Sequence, residues 1–268
     1  MLPTFPQFKS LELADKEAVE KITKKYPPYS DFNFVSMWSW DVRGEMRLSV
    51  LNGNLVVRFT DYLTGQPFYS FLGDNEVNDT AEKLLEFSKK EGTKLQLSLI
   101  PEDSLQGLNL SKFKVDEDPD NFDYIFSTRR LCSYEGSKLG NKRTYVRKFI
   151  KDHPEFLVTD IDLQDKTIKR QIETLFLIWI KEKQISTEEA QNEHAALYRC
   201  IEASSKQAFL STGVYVGGNL VAFWVIENIG NSYGISHFEK AWVRNFTGVC
   251  QFLKQKASFV LLNHDILY

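Results

Sequence analysis

Between Leu131 and Ile150 the chain reads LCSYEGSKLGNKRTYVRKFI. From Gly136 to Lys151 no residue is acidic, although the whole 268-residue chain has a formal net charge of −3. Gly136 and Gly140 mark a loop, and Asn141 is placed to cap a helix that follows. At about 100° per residue, Tyr145, Val146, Phe149 and Ile150 share one stripe of that helix. Arg143, Arg147, Lys148 and Lys151 fall on the other side, Lys142 on the apolar side of the first turn and Lys138 in the preceding loop. Helix N-termini attract anions through free amides, so Lys138, Lys142 and Arg143 read as phosphate contacts, and Arg147, Lys148 and Lys151 continue the face. Such a face on an acidic protein suits RNA, an anionic headgroup or a nucleotide cofactor. The alternative is a solvated helix face over an ordinary core.

A second set of residues lies in Ser232–Lys240. As a strand, its period of two puts Tyr233, Ile235, His237 and Glu239 on one face and Ser236, Phe238 and Lys240 on the other. His237 and Glu239 then face one cleft as a base and its orienting partner, with Lys240 a further substrate-binding candidate. The competing reading is a His–Glu contact at a strand end that only holds structure. His-x-Glu also opens the zinc-deaminase signature, but Pro-Cys-x-x-Cys is absent, and no metal site is expected. The chain has no G-x-S-x-G elbow, H-E-x-x-H or P-loop. An enzyme using coenzyme A would carry Arg/Gln-x-x-Gly-x-Gly/Ala before the helix that follows the third strand. Here Arg244-Asn-Phe-Thr-Gly248-Val has one residue too many and no second small residue, so a coenzyme A ester is the less favoured donor. Leu72-Gly-Asp-Asn75 is the first-half counterpart, and acids there would repel a phosphate.

These residues need elements to position them. Phe8–Tyr26 reads as an amphipathic helix ended by Pro27-Pro28, followed by the aromatic run from Tyr29 to Trp40, which suits core packing or, more sharply, base stacking. Strands at Met46–Val50 and Leu55–Phe59 flank Asn52-Gly53, a hairpin signal. A strand at Pro67–Leu72, a helix at Val77–Lys90 closed by Gly92, and strands at Leu95–Ile100 and Asp123–Ser127 complete the first half. The second half has a strand at Phe156–Asp160, helices at Lys166–Lys183 and Thr187–Ser205, and strands at Phe209–Val216 and Leu220–Glu227 around Gly217-Gly218. Ser232–Lys240, a helix from Gly248 to about Asn263 and a strand start at Ile266 follow. His194 falls on an apolar helical stripe and reads as a satisfied core histidine; Trp179, Trp224 and Trp242 read as core.

Each half runs hairpin, third strand, helix, strand, with the turns 165 residues apart from Asn52 to Gly217. The order predicts two tandem copies of one α/β (α+β) unit with mixed sheets, residues 1–121 and 122–268. The first unit reads as structural or acceptor-side. The second ends on a bare strand start, which suggests truncation at its last strand. Composition is that of a soluble globular protein, with 43% hydrophobic and 26% charged residues. The longest apolar run, Leu175–Ile180, falls far short of the ~20 residues of a membrane span. No signal peptide is read at the N-terminus. Cys132, Cys200 and Cys250 are unpaired in pattern and fit a reducing, cytoplasmic setting.

Leu-Gly-Asn-Lys-Arg-x-x-Val-Arg-Lys-Phe over 139–149, Gly-Gly-Asn-Leu-Val-Ala-Phe over 217–223 and His-Phe-Glu-Lys-Ala over 237–241 carry a resemblance. Together they resemble the catalytic domain of bacterial phosphatidylglycerol lysyltransferases and the stand-alone proteins that share it, best over roughly 122–268. That resemblance implies two tandem GNAT-like (acyl-CoA N-acyltransferase-like) folds, akin to the Fem-type transferases. It implies an aminoacyl or acyl transferase with aminoacyl-tRNA as donor substrate, no cofactor, and a small-molecule amine or lipid headgroup as acceptor. It places the His237 strand beside the gap where the acyl donor enters, and Arg147 and Lys148 along tRNA. Two departures are plain: this sequence carries no transmembrane module, and the Asn-Arg-Glu strand and Lys-bearing segment usual in the family after position 268 are not in it. The alternatives are a coenzyme-A-dependent N-acyltransferase of a small amine, and a non-catalytic protein that binds RNA or an anionic surface.

Overall fold

The computed structural model describes residues 1–61 and 65–268, and they divide into two compact units, Met1–Asp123 and Tyr124–Tyr268. Each holds a four-stranded sheet whose named strands all pair antiparallel, where mixed sheets were expected.

In the first unit the sheet order is β1 (Lys9–Ser10), β2 (Arg47–Leu51), β3 (Asn54–Thr60), β4 (Pro67–Leu72). β3 is buried on both faces because helices cover both. Leu48, Leu55 and Val57 pack with Val19 of α1 (Lys16–Thr23) and Phe34 and Met37 of α2 (Phe34–Trp40). Val56 and Phe71 pack with Val77 and Leu84 of α3 (Val77–Glu91). The aromatic run is thus largely core. Asn33 caps α2 by accepting from the Ser36 amide at 2.8 Å.

The long first helix expected from the sequence is shorter. Lys9–Ser10 pairs with β2, and Lys9 Nζ bonds Asp15 at 2.7 Å, so helix begins only past a 3-10 turn at Leu13–Asp15. Leu95–Ile100 forms one parallel bridge, Tyr69 to Leu97, before Leu99 turns to φ 57°, so no fifth strand extends. Asp123–Ser127 forms no strand. The counterpart of the phosphate loop is closed from within. A Cβ on Gly73 would meet Asn54 Oδ1 and stand 2.6 Å from its Cγ. The buried Asn54 amide donates to Asn75 O at 2.7 Å and Thr80 Oγ1 at 3.0 Å.

Asp31, in a 3-10 turn at Ser30–Phe32, is the clearest ionisable misfit of this unit. Burial, and then the charge of Asp123, raises its carboxyl from 3.8 to about 6. A raised folded-state value means the folded chain holds its proton more tightly, so stability falls as pH rises from about 4 through about 6. Asp31→Asn should therefore stabilise the first unit by about 2 kcal/mol at pH 8 and by little at pH 4.5. Urea unfolding of both chains at the two pH values measures this; equal gains at both would remove the ionised Asp31 as the cause.

The second unit orders its sheet β5 (Leu157–Asp160), β6 (Phe209–Val216), β7 (Asn219–Gly230), β8 (Tyr233–Ala241). Both hairpin turns use two left-handed residues, Asn52 and Gly53 (φ 54° and 84°) and Gly217 and Gly218 (φ 57° and 79°). One face packs on α4 (Thr128–Ser133), α5 (Gly140–Asp152) and α8 (Val249–Asn263), through Val146, Phe149, Trp224, Ile226, Phe252 and Leu253. The other faces α6 (Lys166–Lys183); Tyr215 Oη donates to Gln171 Oε1 of α6 at 3.1 Å. α7 (Thr187–Ala203) completes that layer, capped by Ser186 Oγ, which accepts from the Glu189 amide at 3.1 Å. The final residues run along the start of β8. Leu267 N donates to Ser232 O at 2.7 Å and Gly234 N to Tyr268 O at 2.9 Å, with Ile266 buried.

Candidate active site

β8 is the element that departs from period two. Val225 pairs with Phe238 and Ile226 with Ser236, so His237 is an extra residue in a β-bulge. The bulge reverses the alternation, and His237 and Glu239 leave on opposite faces. This corrects the expected pair. Glu239 lies toward α8, where its carboxylate meets Lys254 Nζ at 2.9 Å. Burial, and then Glu239, pushes the nearby Cys250 thiol up to about 11. On that same face Trp224 Nε1 donates to Ser236 Oγ at 2.6 Å.

His237 instead pairs with Glu227 of β7, Nε2 to Oε2 at 3.0 Å, both side chains 3% exposed. The Phe209 ring stands edge-on to the imidazole at 5.7 Å. Phe209, Ser211 and Tyr215 alternate along β6 on the α6 side, which places the His237–Glu227 pair in the same layer. Ser211 belongs to it too, and its buried Oγ has no hydrogen-bond partner among the described residues.

Lys240 enters this layer from β8. Its ammonium bonds Glu193 of α7 and sits 4.0 Å above the centroid of the Trp179 ring of α6. The Lys240 side chain is almost fully buried and that of Glu193 is 18% exposed. Buried charges of this kind are costly unless paired, and they cluster where proteins do chemistry. Further out along α6 and α7, Glu173 accepts from Tyr198 Oη and contacts His194 Nε2 at 3.0 Å. Burial, and then Glu173, pushes the Tyr198 phenol up to about 12. His194 is satisfied, as expected, but half-exposed rather than core.

The basic stretch folds as the end of α4, a 3-10 turn and a helix. α5 begins at Gly140 after a 3-10 turn at Ser137–Leu139, so Asn141 lies inside the helix and is not its cap. Val146 and Phe149 are its buried stripe, while Tyr145 and Ile150 stay exposed. Arg143 is the main correction among the phosphate contacts. Its guanidinium donates to Tyr134 O and, at 2.9 Å, to Gly136 O, so it ties the end of α4 to α5. Tyr134 Oη in turn donates to Gln251 O of α8 at 3.0 Å. Lys148 is partly engaged by Asp152 at 2.6 Å. Lys138, Lys142 and Arg147 are exposed and carry no ion pair among the described residues.

A family model described as phosphatidylglycerol lysyltransferase, C-terminal, matches residues 24–268. The chain belongs to this family. Solved structures agree in fold. A conserved protein of unknown function from Bacteroides thetaiotaomicron VPI-5482 superposes with a TM-score of 0.77 at 22% identity, over 100% of this chain and 88% of that one. The C-terminal domain of a putative lysylphosphatidylglycerol synthetase from Agrobacterium fabrum gives 0.58 at 12%, over 94% and 76%. L-PGS from Bacillus licheniformis gives 0.56 at 13%, over 96% and 75%. No match is found among curated proteins. Within this lysyltransferase-family chain, Glu227 and Glu193 are the residues that sequence reasoning missed. A signal for Glu227 existed: it is the one charge in the otherwise apolar run Leu220–Ile226 and its end.

Proposed function

We propose that the chain is an aminoacyl transferase of two tandem GNAT-like units that takes its acyl group from an aminoacyl-tRNA in the cytoplasm. A small-molecule amine or a lipid headgroup is the acceptor. The observation that carries this reading is a buried hydrogen-bonded pair, His237–Glu227, beside the ion pair Lys240–Glu193, in one layer of a chain of this family. The acceptor nitrogen or oxygen attacks the ester carbonyl, the bond to the ribose oxygen breaks, and that oxygen leaves with a proton. His237, held by Glu227, takes the acceptor proton and returns it to the leaving oxygen. The Lys240 ammonium faces the charge that develops on the carbonyl oxygen. The donor ester is already activated, so no cofactor is needed.

The phosphates of the donor lie along α5, on Lys138, Lys142, Arg147 and Lys151, with Arg143 keeping the two helices in register. Coenzyme A is disfavoured at the start of α8. A Cβ on Gly248 would stand 2.8 Å from the Tyr145 carbonyl carbon, so a carbonyl oxygen occupies the place where a pyrophosphate would need donors. A second reading, a non-catalytic protein gripping RNA or an anionic surface through α5, is favoured by the closure of His237 from solvent.

The test is binding of charged and uncharged tRNA to the purified chain over a range of salt. Charged tRNA should bind tighter, and Arg147→Gln with Lys151→Gln should flatten the log–log salt slope by about 1.5 to 2. An unchanged slope would leave α5 a solvated face; equal weak binding of both tRNA forms would remove the donor.

A further inference from the structure

Ser211 of β6 is 4% exposed, and its Oγ has no hydrogen-bond partner among the described residues. A hydroxyl buried in that way costs folding free energy and calls for a partner that the fold itself does not supply. The sheet register says where that partner sits. Along β6, Phe209, Ser211 and Tyr215 point to the α6 side, while Leu210 and Val214 join the core on the α8 side. Phe209 pairs across with Glu227, Ser211 with Val225 and Gly213 with Phe223. On the next strand Val225 pairs with Phe238 and Phe223 with Lys240. Ser211 therefore stands in the row between that of the His237–Glu227 pair and that of Lys240, with rows about 7 Å apart along the strand. Val225 and Phe238 are apolar, so Ser211 is the polar side chain of its row. At Gly213 a Cβ would stand 2.8 Å from Ile161 Cγ2, so hydrocarbon fills that flank. Glu227 is the polar neighbour on the other flank, diagonal to Ser211 across the two strands.

We infer, resting on the transferase reading above, that Ser211 receives the acceptor and selects an amine over an alcohol. An attacking amine brings two hydrogens and one lone pair. One hydrogen is donated to Ser211 Oγ and the other to His237, which leaves the lone pair aimed at the ester carbonyl. An alcohol has a single hydrogen, and His237 needs it. Ser211 then meets an alcohol only by donating to the attacking oxygen, which draws electron density from the atom that must attack. In the step with the amine, the new N–C bond forms and the bond from the carbonyl carbon to the ribose oxygen breaks. The proton taken by His237 passes to that oxygen, and the hydrogen held by Ser211 stays on the amide nitrogen. The product is an amide, whether the amine is free or part of a larger headgroup.

The experiment gives the full chain bulk tRNA charged with labelled amino acids at about pH 8, where part of the amine is neutral. The acceptor probes are 3-amino-1,2-propanediol and glycerol, which differ by one amine in place of a hydroxyl. Alkali separates the products, since amides survive it and esters do not, and rates are taken above those without protein. Wild type should make the amide and hardly any ester. Ser211→Ala should lower kcat/KM for the amine about tenfold and leave glycerol unchanged, so the ratio of the two falls. That variant removes a hydroxyl without a partner, so it should unfold at the wild-type urea concentration or above it. A clear drop in stability would give the hydroxyl a structural partner and overturn the inference. Amine turnover unchanged in Ser211→Ala, an equal loss for both probes, or a wild type that prefers glycerol would overturn it too and leave the transferase reading standing. Transfer to neither probe would overturn it alone if charged tRNA still binds tighter than uncharged, and would take the transferase reading with it if both forms bind equally.

Discussion

Gly248→Ala should destabilise the second unit by about 3 to 4 kcal/mol, from two separate causes. Gly248 has φ 90°, in the region that only glycine occupies without strain. A Cβ there would also meet the backbone of Tyr145, reaching its carbonyl oxygen and standing 2.8 Å from the carbonyl carbon. The obstacle is main chain in mid-helix, so no rotamer change relieves it. α5 would have to shift, and with it Phe149, which packs on Phe252 of α8 at a ring separation of 4.7 Å. Urea unfolding followed by circular dichroism measures the cost, with Asn245→Ala in the exposed turn as a control expected within about 0.5 kcal/mol of wild type. A Gly248→Ala chain as stable as that control would mean that α5 yields freely. The same substitution bears on function, because α5 carries the free cations Lys142 and Arg147.

Gly248 also shows how far the sequence could be read. Its position before an apolar helix marked a helix start, and α8 does start there. What it packs against came from residues more than a hundred positions away, which no local pattern records. The same division holds elsewhere. β6, β4 and α6 have the bounds predicted from the sequence: β4 and β6 are short apolar runs buried on both faces, and α6 buries one helical stripe, Ile172, Leu175 and Phe176. Both hairpins were legible because Asn-Gly and Gly-Gly are chemically suited to left-handed turns. α4 was missed, since a six-residue helix has too few turns for a period to appear. The candidate site was half legible. His237 and Lys240 were found as residues able to do chemistry, and the structure places both in one layer. Their partners were not found, because a single inserted residue in β8 turns Glu239 away and brings Glu227 of the neighbouring strand to His237. A bulge has no composition signal, and a cross-strand or cross-helix partner has no fixed spacing. Arg143 was misjudged for a related reason: a guanidinium that satisfies backbone carbonyls has the same sequence signature as one that waits for a phosphate.

The buried pair Lys240–Glu193 gives the other large effect, and it separates structure from chemistry. Glu193→Ala should cost about 3 to 5 kcal/mol, because it leaves an ammonium in the α6–α7 layer beside the Trp179 and Phe238 rings with its carboxylate gone. Replacing both partners, Glu193→Leu with Lys240→Met, removes the desolvation of both charges together. Met keeps the length of the Lys stem and a favourable sulfur contact with Trp179. That double variant should unfold within about 1 to 2 kcal/mol of wild type. If the pair only holds α7 to β8, the double variant should match the wild type in an assay of the proposed transfer. If Lys240 faces the developing oxyanion, the double variant folds and loses about 10²- to 10³-fold in turnover. His237→Gln provides the matching measurement on the other pair, since glutamine can still meet Glu227 with a hydrogen bond but cannot carry a proton through a cycle. A folded double variant and a folded His237→Gln chain that both keep full turnover would assign these two pairs to the architecture and move the chemistry elsewhere in the unit.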